Sequence, residues 1–260
     1  MYYPKQIPYL LDEEFKKNIN YIEYRFHELD VCCACIWHME SKGVFDTVIS
    51  NNILPDACID IVLDFINQTI CFAGFSKETE PFHLNQRIDY MGVRLKPGAF
   101  YSLFHIEAYK IMDHQIPFSQ IETQYPLEEI LSIRDLQMRI DCLKKYLLKK
   151  VNNMCDKRFV ILVDELYESP REQSVVDIAR ELGYNERQLG RIFMKNYGIS
   201  PKVLLNILRL HLCLTLLLSG SIKLVDISLQ CGFYDQAHFI KEIKRYTGVS
   251  PLKLLERYQP

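Results

Sequence analysis

Two short stretches near the C-terminus carry side chains suited to reading nucleic acid: Arg187, Gln188 and Arg191 with Gly190 and Lys195, then Gln236, Ala237, His238, Lys241 and Lys244. Arginine pairs with guanine O6/N7 and glutamine with adenine N6/N7. Arg187 and Arg191 are spaced i, i+4, so on a helix they point the same way. Arg187, Gln188 and Arg191 are therefore expected at base edges. Lys195 suits a phosphate, a contact that positions without specifying. In the second stretch Gln236 and His238 suit bases or backbone, and Lys241 a base edge or phosphate, with Lys244 and Arg245 further along. Gly190 weakens a helix by up to about 1 kcal/mol relative to alanine, which close approach to DNA would explain. On an isolated helix all of these would be ordinary solvated surface, so the reading depends on the elements that hold them.

A different chemistry lies upstream. On a strand, Cys33, Cys35 and Trp37 share one face and Cys32, Ala34 and Ile36 the other. Zinc sites pair cysteines two to four residues apart with a second pair elsewhere, and no second pair is evident. Buried thiols acting as small hydrophobes are the expected reading, and metal or redox sensing the alternative. Without a secretory signal, the nine cysteines read as reduced. Asp60 and Arg94 are expected to face one another across a sheet, as a structural ion pair or, with Trp37, as a polar anchor for an effector. No G-x-S-x-G, H-E-x-x-H, phosphate loop or Cys/His pair appears. The expectation is therefore no catalytic residues, no cofactor and no metal, with a DNA-associated enzyme as the alternative class.

The positioning elements emerge as an internal repeat. Val175–Asp177–Ile178–Ala179 recurs as Leu224–Asp226–Ile227–Ser228, and Gly183–Tyr184 as Gly232–Phe233, at an offset of 49 residues. Beyond the glycine, Phe193–Lys195–Tyr197–Gly198–Ile199–Ser200–Pro201 matches Ile243–Arg245–Thr247–Gly248–Val249–Ser250–Pro251 at an offset of 50. Each copy reads as helix, turn, helix. Ser174 and Asn185 are placed to cap, the glycines to end helices, and Pro201 to open the next. Leu189, Ile192 and Phe193 are expected to face inward. Pro201 to Ser219 is rich in leucine and predicts a helix that sets the distance between the units, which must be about 34 Å for successive major grooves. His211 on that helix is expected to be structural.

The pattern D-I-A-x-x-x-G-Y through F-x-K-x-x-G-I-S-P, then D-I-x-x-x-x-G-F-x-D-Q-x-H-F through G-V-S-P, resembles the AraC/XylS-type regulators over roughly residues 160–258. The more specific half is Gly232–Phe233–Tyr234–Asp235–Gln236–Ala237–His238–Phe239. The resemblance implies a double helix-turn-helix whose second unit relies more on the DNA backbone, with Ala237 where the family commonly has serine. Leu54–Pro55–Asp56–Ala57–Cys58–Ile59–Asp60 and Gly92–Val93–Arg94–Leu95–Lys96–Pro97–Gly98 resemble the P-D-G-C and G-V-R-x-x-P-G signatures of one subgroup of that family. Ala57 stands at the usual glycine, which puts a special backbone conformation there in question. The N-terminal domain implied is a small β-barrel or cupin-like sensor followed by helices.

Val31–His38, Cys58–Phe65, Thr69–Phe75 and Ile88–Leu95 read as strands, with an amphipathic helix from Ala99. A helix from Ser132 to Val151 carries Leu136, Ile140, Leu143 and Leu147, a seam for a twin helix or for its own domain. The net charge of −2 conceals an asymmetry: from Arg158 onward there are 14 Lys+Arg against 11 Asp+Glu, and before it 17 against 22. A mildly basic module behind an acidic one fits DNA binding. No signal peptide and no membrane span are evident, so the expected location is cytoplasmic. The expectation is an α+β chain, with a sensing or dimerisation domain over residues 1–155 and the double helix-turn-helix over 156–260. Its partners would be double-stranded DNA, with RNA polymerase, a small-molecule effector and a second copy as further candidates.

Overall fold

A computed structural model describes residues 1–6, 12–43, 48–168, 174–220, 223–233 and 235–258. Tyr234, within the second motif, lies outside the described residues. After helix α1 (Glu13–Asn18) come strands β1 (Ile19–Tyr24), β2 (Cys33–Ser41), β3 (Ile49–Ile53), β4 (Ile59–Asp64), β5 (Thr69–Ala73), β6 (Glu80–Leu84) and β7 (Asp89–Leu95). Helix α2 (Ala99–Phe104), strand β8 (Gln115–Pro117) and helix α3 (Leu136–Asn152) follow. The rest is helical: α4 (Arg158–Glu168), α5 (Val175–Glu181), α6 (Glu186–Tyr197), α7 (Pro201–Leu218), α8 (Leu224–Gln230), α9 (Gln236–Thr247) and α10 (Pro251–Tyr258).

The class is α+β, but the sheet does not close into a barrel. Six antiparallel strands run in the order β1-β2-β7-β4-β5-β8, and β3 and β6 form a separate two-stranded ribbon. Closure would need β1 to pair with β8, and β8 is only three residues long and ends on Pro117, which lacks a backbone donor.

Alternation along the strands sorts the two faces. Ile61, Leu63, Phe72, Met91, Val93 and Leu95 point into a core shared with α2 and α3. Cys35, Trp37 and Met39, with Val62 and Tyr90, look the other way towards Ile49, Phe82 and Leu84 of the ribbon. The register shifts between Cys33 and Cys35. That bulge inserts an extra residue and reverses the alternation, so Cys33 joins Cys32 and Ile36 in the helical core while Cys35 stays with Trp37. The expected sharing of one face by Cys33 and Cys35 is corrected accordingly. Ala57 does take the left-handed conformation, at φ 59°, so alanine keeps the turn that glycine would make more readily.

The seam residues Ile140, Leu143 and Leu147 of α3 are buried against their own sheet domain. The same core continues through α4 into the first helix-turn-helix, taking in Ile178, Leu189, Phe193 and Tyr197. The second unit has its own core around Cys213, Leu214, Ile227, Phe239 and Ile243, joined by Leu54 from the sheet domain. Helix α7 is long and apolar enough to cross a membrane by length and composition alone. Its apolar side chains are accounted for by Leu204, Leu205 and Leu208 entering the first core and Leu210, Leu214 and Leu217 the second.

Candidate nucleic-acid interface and ligand cavity

Helices α5 and α6 form the first unit, and both carry capping boxes. The Ser174 hydroxyl accepts from Asp177 N at 3.2 Å while Ser174 N donates to Asp177 at 3.3 Å. Asn185 Oδ1 accepts from Gln188 N at 2.9 Å and Asn185 N donates to Gln188 Oε1 at 3.0 Å. Two orphan amides are satisfied at each helix start. In the second unit Asp235 caps α9 through His238 N at 2.7 Å, whereas Lys223 precedes α8 without a side-chain cap. Leu189 and Phe193 are buried and Ile192 half-buried, leaving Arg187, Gln188, Arg191 and Lys195 exposed and Gly190 half-exposed. Gln236, Ala237, His238, Lys241 and Lys244 are exposed on α9.

Local geometry distinguishes these residues further. Gln188 Oε1 already accepts the Asn185 N–H, so bidentate adenine reading by Gln188 competes with capping. The His238 ring packs edge-on against Phe233, with centroids 5.4 Å apart. Nothing lies against the open side of Gly190. The outward face of α6 borders a shallow groove where Arg187, Arg191, Met194 and Lys195 meet Glu107 and Tyr109 of the sheet domain. Lys195 Nζ sits 4.6 Å from the Tyr101 ring centre. Gly198, at φ 71°, allows the Ala108 carbonyl so close that a Cβ would lie 3.2 Å from it. The second unit touches the sheet domain through Thr79, whose hydroxyl donates to the Tyr246 carbonyl, and an Arg245–Glu78 ion pair at 3.2 Å.

Helix α7 is tied to the same domain from the side. His211 accepts from Lys5 N at 3.0 Å through Nδ1 and so donates from Nε2 to the Pro55 carbonyl at 2.8 Å. Burial depresses the His211 pKa, keeping the ring neutral. Asp56, next in the chain, accepts from Gln6 Nε2 at 2.9 Å.

Asp60, Arg94 and Trp37 are brought together. Asp60 and Arg94 are paired across β4 and β7, with Arg94 NH2 3.5 Å from Asp60 Oδ2. Trp37 Nε1 donates to the same oxygen at 3.0 Å. The indole can lie there because its cross-strand neighbour is Gly92, where a Cβ would come within 2.3 Å of the ring. These groups open on a cavity of about 300 Å³ between the sheet and the ribbon, lined also by Tyr21, Asp56 and Tyr90. Sequence reasoning missed Tyr21, because β1 mixes polar and aromatic residues, and left Asp56 inside a motif without a role. Arg94 is additionally 3.4 Å from Glu23 and 3.6 Å from Asp56. Burial raises the Asp60 pKa from 3.8 to about 6, with Arg94 opposing the rise and Asp56 adding to it.

The cysteines fit the hydrophobe reading. Cys32, Cys33, Cys35 and Cys58 are buried and free, and burial pushes the Cys32 thiol up to about 12. A protonated thiol is a poor nucleophile. Among the described residues no group of three His, Cys, Asp or Glu converges as a metal site. Cys155 is exposed, 3.6 Å from His105 Nδ1, a spatial pair that sequence separation hid.

Residues 178–257 match a helix-turn-helix domain family, and residues 27–117 match a domain of unknown function, DUF6597. The virulence regulon transcriptional activator VirF of Yersinia enterocolitica is 28% identical over 134 residues, 52% of this chain and 48% of that protein. The chain thus spans about half the length of that relative. A solved transcriptional regulator of Chromobacterium violaceum, described as an AraC-type DNA-binding domain-containing protein, is 33% identical, with 38% of this chain and 90% of that one covered at a TM-score of 0.34. ToxT from Vibrio cholerae aligns over 94% of this chain and all of that one, at 15% identity and a TM-score of 0.41.

Proposed function

We propose that this chain, whose residues 178–257 match a helix-turn-helix domain family and whose relatives include a transcriptional activator, is an AraC/XylS-type regulator that binds specific DNA sequences and regulates transcription under the control of a small molecule. One observation carries the reading: two helix-turn-helix units, repeated in sequence and joined by α7, each expose cationic side chains on their second helix. Arg187 and Arg191 read bases from α6. Gln188 assists where its cap is released, Gly190 allows close approach, and Lys195 holds phosphate. On α9, Gln236, Ala237 and His238 lie along the backbone or base edges while Lys241 and Lys244 anchor phosphates. Residues 1–155 form the sensing domain and 156–260 the DNA-binding domain. The effector enters the cavity between the sheet and the ribbon and meets Asp60, Arg94 and Trp37. The protein acts in the cytoplasm, without enzymatic activity, with RNA polymerase as its further partner. A second copy, if it joins, docks elsewhere than the α3 seam, which is occupied within the chain.

Binding of the purified chain to fragments from upstream of its own gene, against shuffled fragments, tests this reading. Preference for one fragment, with affinity falling steeply with salt as phosphate contacts release counterions, is expected. Equal affinity for all fragments, with and without candidate effectors, contradicts it.

A further inference from the structure

The cavity has more carboxylates than cations. Asp56, Asp60 and Asp64 line it, and Arg94 is the one Lys or Arg among the described residues that line it. The nearby Glu23 contacts both Arg25, at 3.3 Å, and Arg94, so Arg94 is shared among three carboxylates. Two polar atoms are buried there without a hydrogen-bond partner, Asp60 Oδ1 and Arg94 Nε. Asp60 Oδ2 is engaged by Trp37 and Arg94, which leaves Oδ1 as an acceptor. Buried carboxylate oxygens without partners are costly, and such an orphan marks a place for a missing donor. The remaining walls include Tyr21, Trp37, Phe75, Phe82 and Tyr90, rings whose faces favour cations and whose area favours an apolar body.

Resting on the proposed effector reading, we propose that this cavity binds a small organic monocation with an apolar or aromatic body, its N–H donor docking on the Asp60 carboxylate. An ammonium or amidinium group there supplies the charge the cluster lacks. A hydroxyl or carbonyl beside it can accept from the Arg94 guanidinium, whose Nε faces Asp56 Oδ2 at 3.6 Å. An anion would have to displace carboxylates already gathered around Arg94, and a bare metal ion finds no converging set of ligands among the described residues. A cavity of about 300 Å³ sits at the small end of ligand pockets, so the body is a single ring or a short chain.

Trp37 is the only tryptophan in the chain, so its fluorescence reports on this cavity alone. The full-length protein is titrated with phenethylammonium, phenethyl alcohol and phenylacetate, which share a body and differ in charge. Phenethylammonium is expected to bind at least about tenfold more tightly than the alcohol, the factor set by a charge-assisted hydrogen bond, and phenylacetate most weakly. Asp60→Asn removes the preference for ammonium over alcohol and leaves the alcohol's affinity within a few-fold. If the alcohol or phenylacetate binds as well as the ammonium, the cationic class is wrong and the effector site stands. If none of the three perturbs Trp37 at millimolar concentration, both the ligand class and the effector reading of this cavity fail. The ranking on the unmodified chain decides independently of the variant.

Discussion

Asp60→Asn separates a carboxylate held for a ligand from one held for stability. Asp60 lies beside Arg94, Asp56 and Trp37, with Tyr21, Glu23, Cys35, Cys58 and Asp64 around the same cluster. Burial outweighs the attraction of Arg94, and the pKa rises from 3.8 to about 6. The folded chain therefore holds the Asp60 proton more tightly than the unfolded chain does. Stability from this group is greatest when both states are protonated, falls as pH climbs from about 4 to 6, and is constant above. A rise of that size corresponds to about 3 kcal/mol. Asparagine resembles the protonated acid in shape and charge, so the variant should match the native chain near pH 4. It should exceed it by up to about 3 kcal/mol near pH 8. Urea denaturation midpoints of both proteins, taken across that range without ligand, give the difference curve directly. A difference that is flat with pH, or a native chain that gains on the variant as pH rises, would refute the argument that Asp60 is under-compensated.

Other perturbations test the remaining contacts. Arg187→Ala and Arg191→Ala should each cost about 1–3 kcal/mol of specific DNA binding and relax base preference at one position, whereas Lys195→Ala should weaken all sequences alike and reduce the salt slope by about one; fluorescence anisotropy across salt distinguishes them. Glu107→Gln removes a carboxylate from the groove bordering Arg187, Arg191 and Lys195, so DNA binding should tighten several-fold at low salt and the gain vanish at high salt. His211→Phe leaves Lys5 N and Pro55 O without their partner and should cost about 1–3 kcal/mol at each atom. The depressed pKa of His211 means that its contribution is lost as pH falls below 6.5, so denaturation of native and variant chains should converge between neutral pH and pH 5.5. Gly92→Ala drives a Cβ into the Trp37 indole and should shift its emission by breaking the bond to Asp60.

The helical half was legible because its signal repeats. Periodic apolar positions, caps and turn glycines recur at fixed offsets, and each has a local physical cause. The four strands expected in the N-terminal half are present with shifted ends, because their alternation is local too. Strands β1, β8, β3 and β6 were not expected. Asn51, Asn52, Glu80 and Pro81 in the last two read as turn or loop residues, and their pairing joins segments distant in sequence. Asp60, Arg94 and Trp37 were expected as one site, and register places them together, while the bulge that assigns Cys33 and Cys35 to different faces leaves no mark in composition. The contacts between domains were also hidden, since Tyr2, Pro55, Thr79 and His211 are ordinary residues until the fold brings them together.

The central claim is that α6 and α9 enter successive major grooves on one face of DNA. Hydroxyl-radical and base-methylation footprinting on a site selected from random DNA tests it most directly. Entry into successive grooves predicts two protected segments about 10–10.5 base pairs apart, with Arg187→Ala/Arg191→Ala erasing base preference in one and sparing the other. Failure to enrich any sequence, or one uninterrupted protection indifferent to those arginines, would contradict it.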